Sequence, residues 1–239
     1  MFSPERKLME SKNINNNKEQ IKKLCGMGMF AALAFVVAFV CNVIPPVAGF
    51  LSLDVKDAVI AISSFIYGPI SAVVISFVAA FVEFITFSTT GWYGLVMNFA
   101  SSAVFSLTAS LIYRKIRNIN GALISFGAAI AATTAVMLLL NRFVTPFYLI
   151  DFMGMHDGVA RDTVTDLLPK TLLPFNFAKA LLNSSVAMLL YKPVVSALRK
   201  AKLAKVGSGS TTFNKSSIII IVVGALALVV AMTILLIIW

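Results

Sequence analysis

Residues 26–44 read Gly-Met-Gly-Met-Phe-Ala-Ala-Leu-Ala-Phe-Val-Val-Ala-Phe-Val-Cys-Asn-Val-Ile, without a charge. A helix of that length rises about 28 Å at ~1.5 Å per residue, close to the ~30 Å hydrocarbon layer of a bilayer. Pro45-Pro46 ends the run. Further apolar runs follow at 57–67, 70–87, 92–113, 122–150, 171–190 and 218–239. Gly68-Pro69 sits between the second and third as a tight turn, and the second is the shortest. The composition agrees. The chain is 59% hydrophobic and 13% charged, where a soluble domain carries about 25% charge. Too much apolar surface is present for one soluble core, so lipid is the solvent. The fold expected is an all-α integral membrane protein, a six-helix transmembrane bundle plus one extra C-terminal transmembrane helix. Its units are a basic tail at 1–24 read as disordered, the bundle at 25–200, a linker at 201–217 and the added helix at 218–239.

The net charge of +10 is gathered in clusters. Arg6, Lys7, Lys12, Lys18, Lys22 and Lys23 precede the first run. Arg114, Lys115 and Arg117 follow the fourth; Arg199, Lys200, Lys202, Lys205 and Lys215 follow the sixth. Flanking apolar runs, they read as cytoplasmic topology signals and not as a nucleic-acid surface. The loop between the fifth and sixth runs holds Asp151, Asp157, Asp162 and Asp166 against Arg161 and Lys170. These signs predict a multi-pass plasma-membrane protein with its N-terminus inside and the acidic loop outside. The polar first two dozen residues contain no cleavable signal. Cys25 and Cys41 would lie about 24 Å apart on one helix, too far to pair.

Ionisable groups inside spans are costly and mark function by default. Glu83, Arg142 and Lys179 qualify, all toward the outer ends of their helices. Glu83 and Arg142 could simply pair. In the sixth run Asn176, Lys179 and Asn183 are spaced i, i+3, i+7 and share one helix face. That stripe either binds a ligand or hydrogen-bonds neighbouring helices; the lysine favours the ligand. Asn98 and Ser101 in the fourth run, and Asn141 and Thr145 in the fifth, add neutral polar groups. Amides among Phe, Leu and Met suit a neutral ligand with a flat apolar body and a polar edge. The inventory lacks a metal-ligand cluster, an acid–base pair, and a phosphate-binding loop. Neither an enzyme, a metal site, nor a catalytic cofactor is expected, and energy for any transport must come from a partner. Gly28 and Ala32, and Ala34 and Ala38, have the small-x-x-x-small spacing of close helix contact, with a partner or within the chain.

Phe50-Leu-Ser-Leu-Asp54-Val-Lys-Asp57 followed by Phe65-Ile-Tyr-Gly68-Pro69 resembles the first-loop and second-helix signature of the substrate-binding subunits of energy-coupling-factor (ECF) vitamin transporters. Leu173-Pro-Phe-Asn176-Phe-Ala-Lys179 and Leu140-Asn141-Arg-Phe-Val-Thr-Pro146 resemble helices six and five of the riboflavin-specific members. The resemblance covers residues 22–200. It implies a vitamin pocket near the outer face, a first loop acting as a lid that brings Leu51, Leu53 and Asp54 to the site, and a membrane coupling (T) component met by the span-one alanines, driven by two ATP-binding subunits. Riboflavin is the expected ligand. Asn176 would pair with its imide edge and Lys179 would donate to a ring or ribityl oxygen. Asn98 and Asn141 would serve the ribityl hydroxyls, with Glu83, Thr145 and Asn183 completing the polar lining. Val59 stands where family members often carry proline, and 218–239 lies outside the six-helix pattern. The alternatives are the same architecture for another vitamin, a membrane-bound enzyme, or a scaffold in which the polar stripe only joins helices.

Overall fold

Backbone N–H and C=O groups in hydrocarbon have no water to bond, so the apolar runs close their own hydrogen bonds as helices. In a computed structural model describing residues 4–116, 119–200 and 215–238, these are α1 (Pro4–Cys41), α2 (Lys56–Tyr67), α3 (Pro69–Thr86), α4 (Gly91–Lys115), α5 (Ile119–Met153), α6 (Asp157–Leu167), α7 (Leu173–Lys200) and α8 (Lys215–Ile238). Arg117 and linker residues 201–214 lie outside the described residues. All but α2 and α6 are long and apolar enough to cross a membrane.

Two segments differ from expectation. The basic tail, read as disordered, is helical from Pro4 and runs unbroken into α1. Pro4 suits the first helical position, and no glycine interrupts the chain before Gly26. The acidic loop holds α6. Ala160 and Val164, one turn apart, are fully buried, while Arg161 bonds Asp157 at 2.8 Å on the exposed side. A π-helical turn, Leu168–Leu172, leads into α7.

The 12-residue α2 is about 18 Å long, too short to span the bilayer. Lys56 through Ser64 are all buried, the charges of Lys56 and Asp57 included. It forms the centre of the bundle, walled by α1, α3, α4 and α7. Gly68 joins it to α3 with φ +101° and ψ 172°, a conformation open essentially to glycine alone. A Cβ there would meet only an Arg114 nitrogen at 3.7 Å, so the cost of Gly68→Ala is backbone strain, about 1–3 kcal/mol. Thermal melting in detergent should show that loss.

The added helix is not detached. Gly224 of α8 lies against Ser185, Met188 and Leu189 of α7. Further along, Ala231 and Leu235 are buried in one cluster with Ala178 and Leu182. The two helices are therefore antiparallel.

Candidate functional site

The C-terminal ends of α3 and α5, the N-terminal ends of α2, α4 and α7, and the loop after α1 meet at one end of the bundle. There the loop, α4, α5 and α7 line a cavity of about 90 Å³. Phe50, Leu51 and Ser52 line it from the loop; Tyr93, Met97, Asn98 and Ser101 from α4; Met137, Asn141, Thr145 and Tyr148 from α5; Phe175, Asn176 and Lys179 from α7. The rings form a continuous wall. Tyr148 lies 5.7 Å from Phe50 and 6.2 Å from Tyr93, ring centre to ring centre. Tyr93 also donates its hydroxyl to Asp151, tying α4 to the end of α5.

The amides are partly committed. Asn176 donates one N–H to its own helix at the Leu172 carbonyl, 2.7 Å. Its second N–H and its Oδ1 meet no partner among the described residues. Asn141 donates to the Met137 carbonyl at 2.7 Å and accepts from Thr145 at 2.9 Å. Lys179 donates to Asp54 Oδ2 at 2.7 Å and to the Ser52 carbonyl at 3.1 Å. An ammonium has three N–H groups, so one remains beside the cavity.

A buried polar layer lies beneath this floor. Lys56, only 1% exposed, donates to Glu83 Oε2 at 2.7 Å and lies 3.7 Å from Asp54. Burial alone would raise the Asp54 carboxyl, but the Lys179 and Lys56 ammoniums outweigh it and hold the carboxyl at about 2, against its ordinary 3.8. Asp57 accepts from Ser102 and, at 3.5 Å, from Ser101. Asn183 is fully buried and acts as a remote cap for α2. Its Oδ1 accepts from the Ala58 N–H at 2.8 Å, and its amide donates to the Asp54 carbonyl at 3.0 Å. An N-terminal helix N–H normally finds such an acceptor on its own preceding residue. Val55 has no side-chain acceptor to offer, and α7 supplies one.

Of the expected site residues, Leu51, Asn98, Asn141, Thr145, Asn176 and Lys179 line the cavity. Leu53, Asp54, Glu83 and Asn183 do not; the last three belong to the buried layer. The stripe on α7 therefore divides, its first two members facing the cavity and Asn183 joining helices. Arg142 is exposed and bonds Thr165 at 3.1 Å, so the Glu83–Arg142 pair does not form; Lys56 is nearer to Glu83. On α1, Gly28 and Ala32 are exposed. Ala34 and Ala38 are buried within the chain's own packing, where their small size lets α2 and α3 approach. Lys56 and Asp57 escaped sequence reasoning as loop charges. The signal was their place at the head of an apolar run too short to reach the far side of a bilayer.

The family model of the ECF transporter substrate-specific component matches residues 22–191. Among curated proteins, the riboflavin transporter RibU of Staphylococcus aureus (strain TCH60) is 29% identical over 186 residues, which is 77% of this chain and 96% of that protein. The riboflavin transporter FmnP of Bacillus subtilis (strain 168) is 24% identical over 192 residues, 77% of this chain and 99% of that one. A solved S component of a bacterial ECF transporter superposes with a TM-score of 0.61 at 29% identity, over 75% of this chain and 99% of that structure. The matched family region stops before α8 begins.

Proposed function

Because this chain belongs to the family of ECF transporter substrate-specific components, we propose that it captures riboflavin in the cavity between the loop after α1 and helices α4, α5 and α7. It is a transport subunit and not an enzyme. A membrane coupling component and two ATP-binding subunits supply the energy, and the exposed Gly28–Ala32 face of α1 is the contact we assign to the coupling component.

Asn176 carries the reading. Its free N–H and free Oδ1 form a donor–acceptor pair, and the flavin imide edge presents the matching acceptor and donor. Phe50, Tyr93, Tyr148 and Phe175 offer apolar faces for a tricyclic ring. Lys179 adds a charged donor for a ring or ribityl oxygen, and Asn98, Asn141 and Thr145 serve the hydroxylated chain. Pockets for ligands of this size run to about 300–1,000 Å³, well above the cavity described. The loop is the wall without helical hydrogen bonds of its own. Riboflavin entry therefore displaces it, breaking and remaking the bond from Lys179 to Ser52.

Lys18, Lys22 and Lys23 of α1 and Arg114 and Lys115 of α4 lie at the bundle end opposite the cavity. By the excess of positive charge on cytoplasmic segments, that end and the N-terminus face the cytoplasm, and the cavity opens outside. Purified protein should quench flavin fluorescence on titration. Asn176→Ala should weaken riboflavin about 5- to 150-fold, the loss of about 1–3 kcal/mol for buried hydrogen bonds. Unchanged affinity in that variant would refute the assignment of the imide edge.

A further inference from the structure

Glu83 is 3% exposed and does not line the cavity. One of its oxygens, Oε2, receives both the Lys56 ammonium at 2.7 Å and an N–H of Asn98 at 3.1 Å. Asn98 does line the cavity. An amide has two chemically different ends, and only the NH₂ end can donate. A carboxylate behind Asn98 therefore dictates which end lies where. The N–H side is drawn back to Glu83, and Oδ1, which no donor among the described residues reaches, is left for the cavity. A neutral residue in place of Glu83 would let the amide rotate and present either end.

We propose that Glu83 is a positioning residue for substrate selection. It never touches the ligand, and it acts through Asn98 by fixing that side chain as a hydrogen-bond acceptor for a ligand hydroxyl. Lys56 completes the device. It holds the Glu83 side chain in place by donating to the same oxygen that Asn98 reaches. The same ammonium lies 3.7 Å from Asp54, which grips Lys179. The polar ends of the cavity thus carry opposite characters, acceptor at α4 and charged donor at α7, set by one buried relay. This inference rests on the riboflavin reading above, with the ribityl chain placed at Asn98.

The test compares two flavins, riboflavin and lumiflavin, which keeps the ring but lacks the hydroxylated chain. Dissociation constants are measured by fluorescence quenching for the parent, Asn98→Ala, Glu83→Leu and the double variant. Each single change should weaken riboflavin roughly tenfold, since one acceptor is lost or misdirected. Lumiflavin affinity should stay within about twofold. The double variant should be no weaker than Asn98→Ala alone, because the two residues act in series. Glu83→Leu strands the Lys56 ammonium. If that protein does not fold, the same comparison is made in a Lys56→Met background, where both charges are gone. Equal weakening of both flavins, or multiplication of the two single effects, overturns the inference and makes Glu83 merely structural. A parent that binds neither flavin overturns the riboflavin reading itself, a result separable from the behaviour of the variants.

Discussion

Lys179→Met should bind riboflavin at least ~100-fold more weakly than the parent in a fluorescence-quenching titration, a loss of about 2.7 kcal/mol or more. Two effects combine. The cavity loses its only ammonium among the lining residues, and with it one charge-assisted hydrogen bond to the vitamin. The loop also loses its hold, because Lys179 bridges Asp54 and the Ser52 carbonyl. Breaking one side of a buried ion pair commonly costs about 3–5 kcal/mol, largely because the other charge is left unpaired. Here Lys56 at 3.7 Å still attends Asp54, so part of the loss appears as stability and the rest as affinity. Adding Asp54→Asn to Lys179→Met should restore melting temperature without restoring binding. Affinity within threefold of the parent would show that Lys179 serves the loop alone.

Lys56→Met should lower stability by about 3–5 kcal/mol, which for a chain of this size shifts the melting midpoint by roughly 10 °C. Lys56 is the buried cation between Glu83 and Asp54, and among the described residues no other ammonium pairs with Glu83. Its Oε1 has no hydrogen-bond partner among the described residues, so Glu83 depends on what reaches Oε2. Removing both charges, as Lys56→Met with Glu83→Leu, should be milder than Lys56→Met alone. A single variant that melts within about 2 °C of the parent, less than 1 kcal/mol, would show that the pair does not hold the bundle together.

The membrane class and nearly every helix were legible, because continuous apolar runs leave the backbone one way to satisfy itself. The stripe on α7 was legible as a stripe but not in its division. Asn176 and Asn183 look identical in spacing, and only the position of the α2 N-terminus shows that one faces a cavity and the other caps a helix. Glu83 was visible as an anomaly, but its partner was not. Lys56 sits beside a loop, and burial of a loop-end charge follows only from packing α2 at the centre. The α6 helix was hidden by its aspartates. Its apolar face consists of Ala160 and Val164 with the leucines that follow, too few residues to stand out against three aspartates.

The remote cap on α2 also bears on how the protein is made. The Ala58 N–H and the Asn183 side chain that receives it are 125 positions apart. At about 5–20 residues per second, a ribosome needs roughly 6–25 s to travel between them. During that interval the Ala58 N–H lacks its Asn183 acceptor and Asp54 lacks its Lys179 partner. A 12-residue segment cannot anchor itself across the bilayer, so the nascent chain must keep a charged half-helix in waiting until α7 arrives. The last-made third of the bundle is thus the step that commits the first-made third to its place.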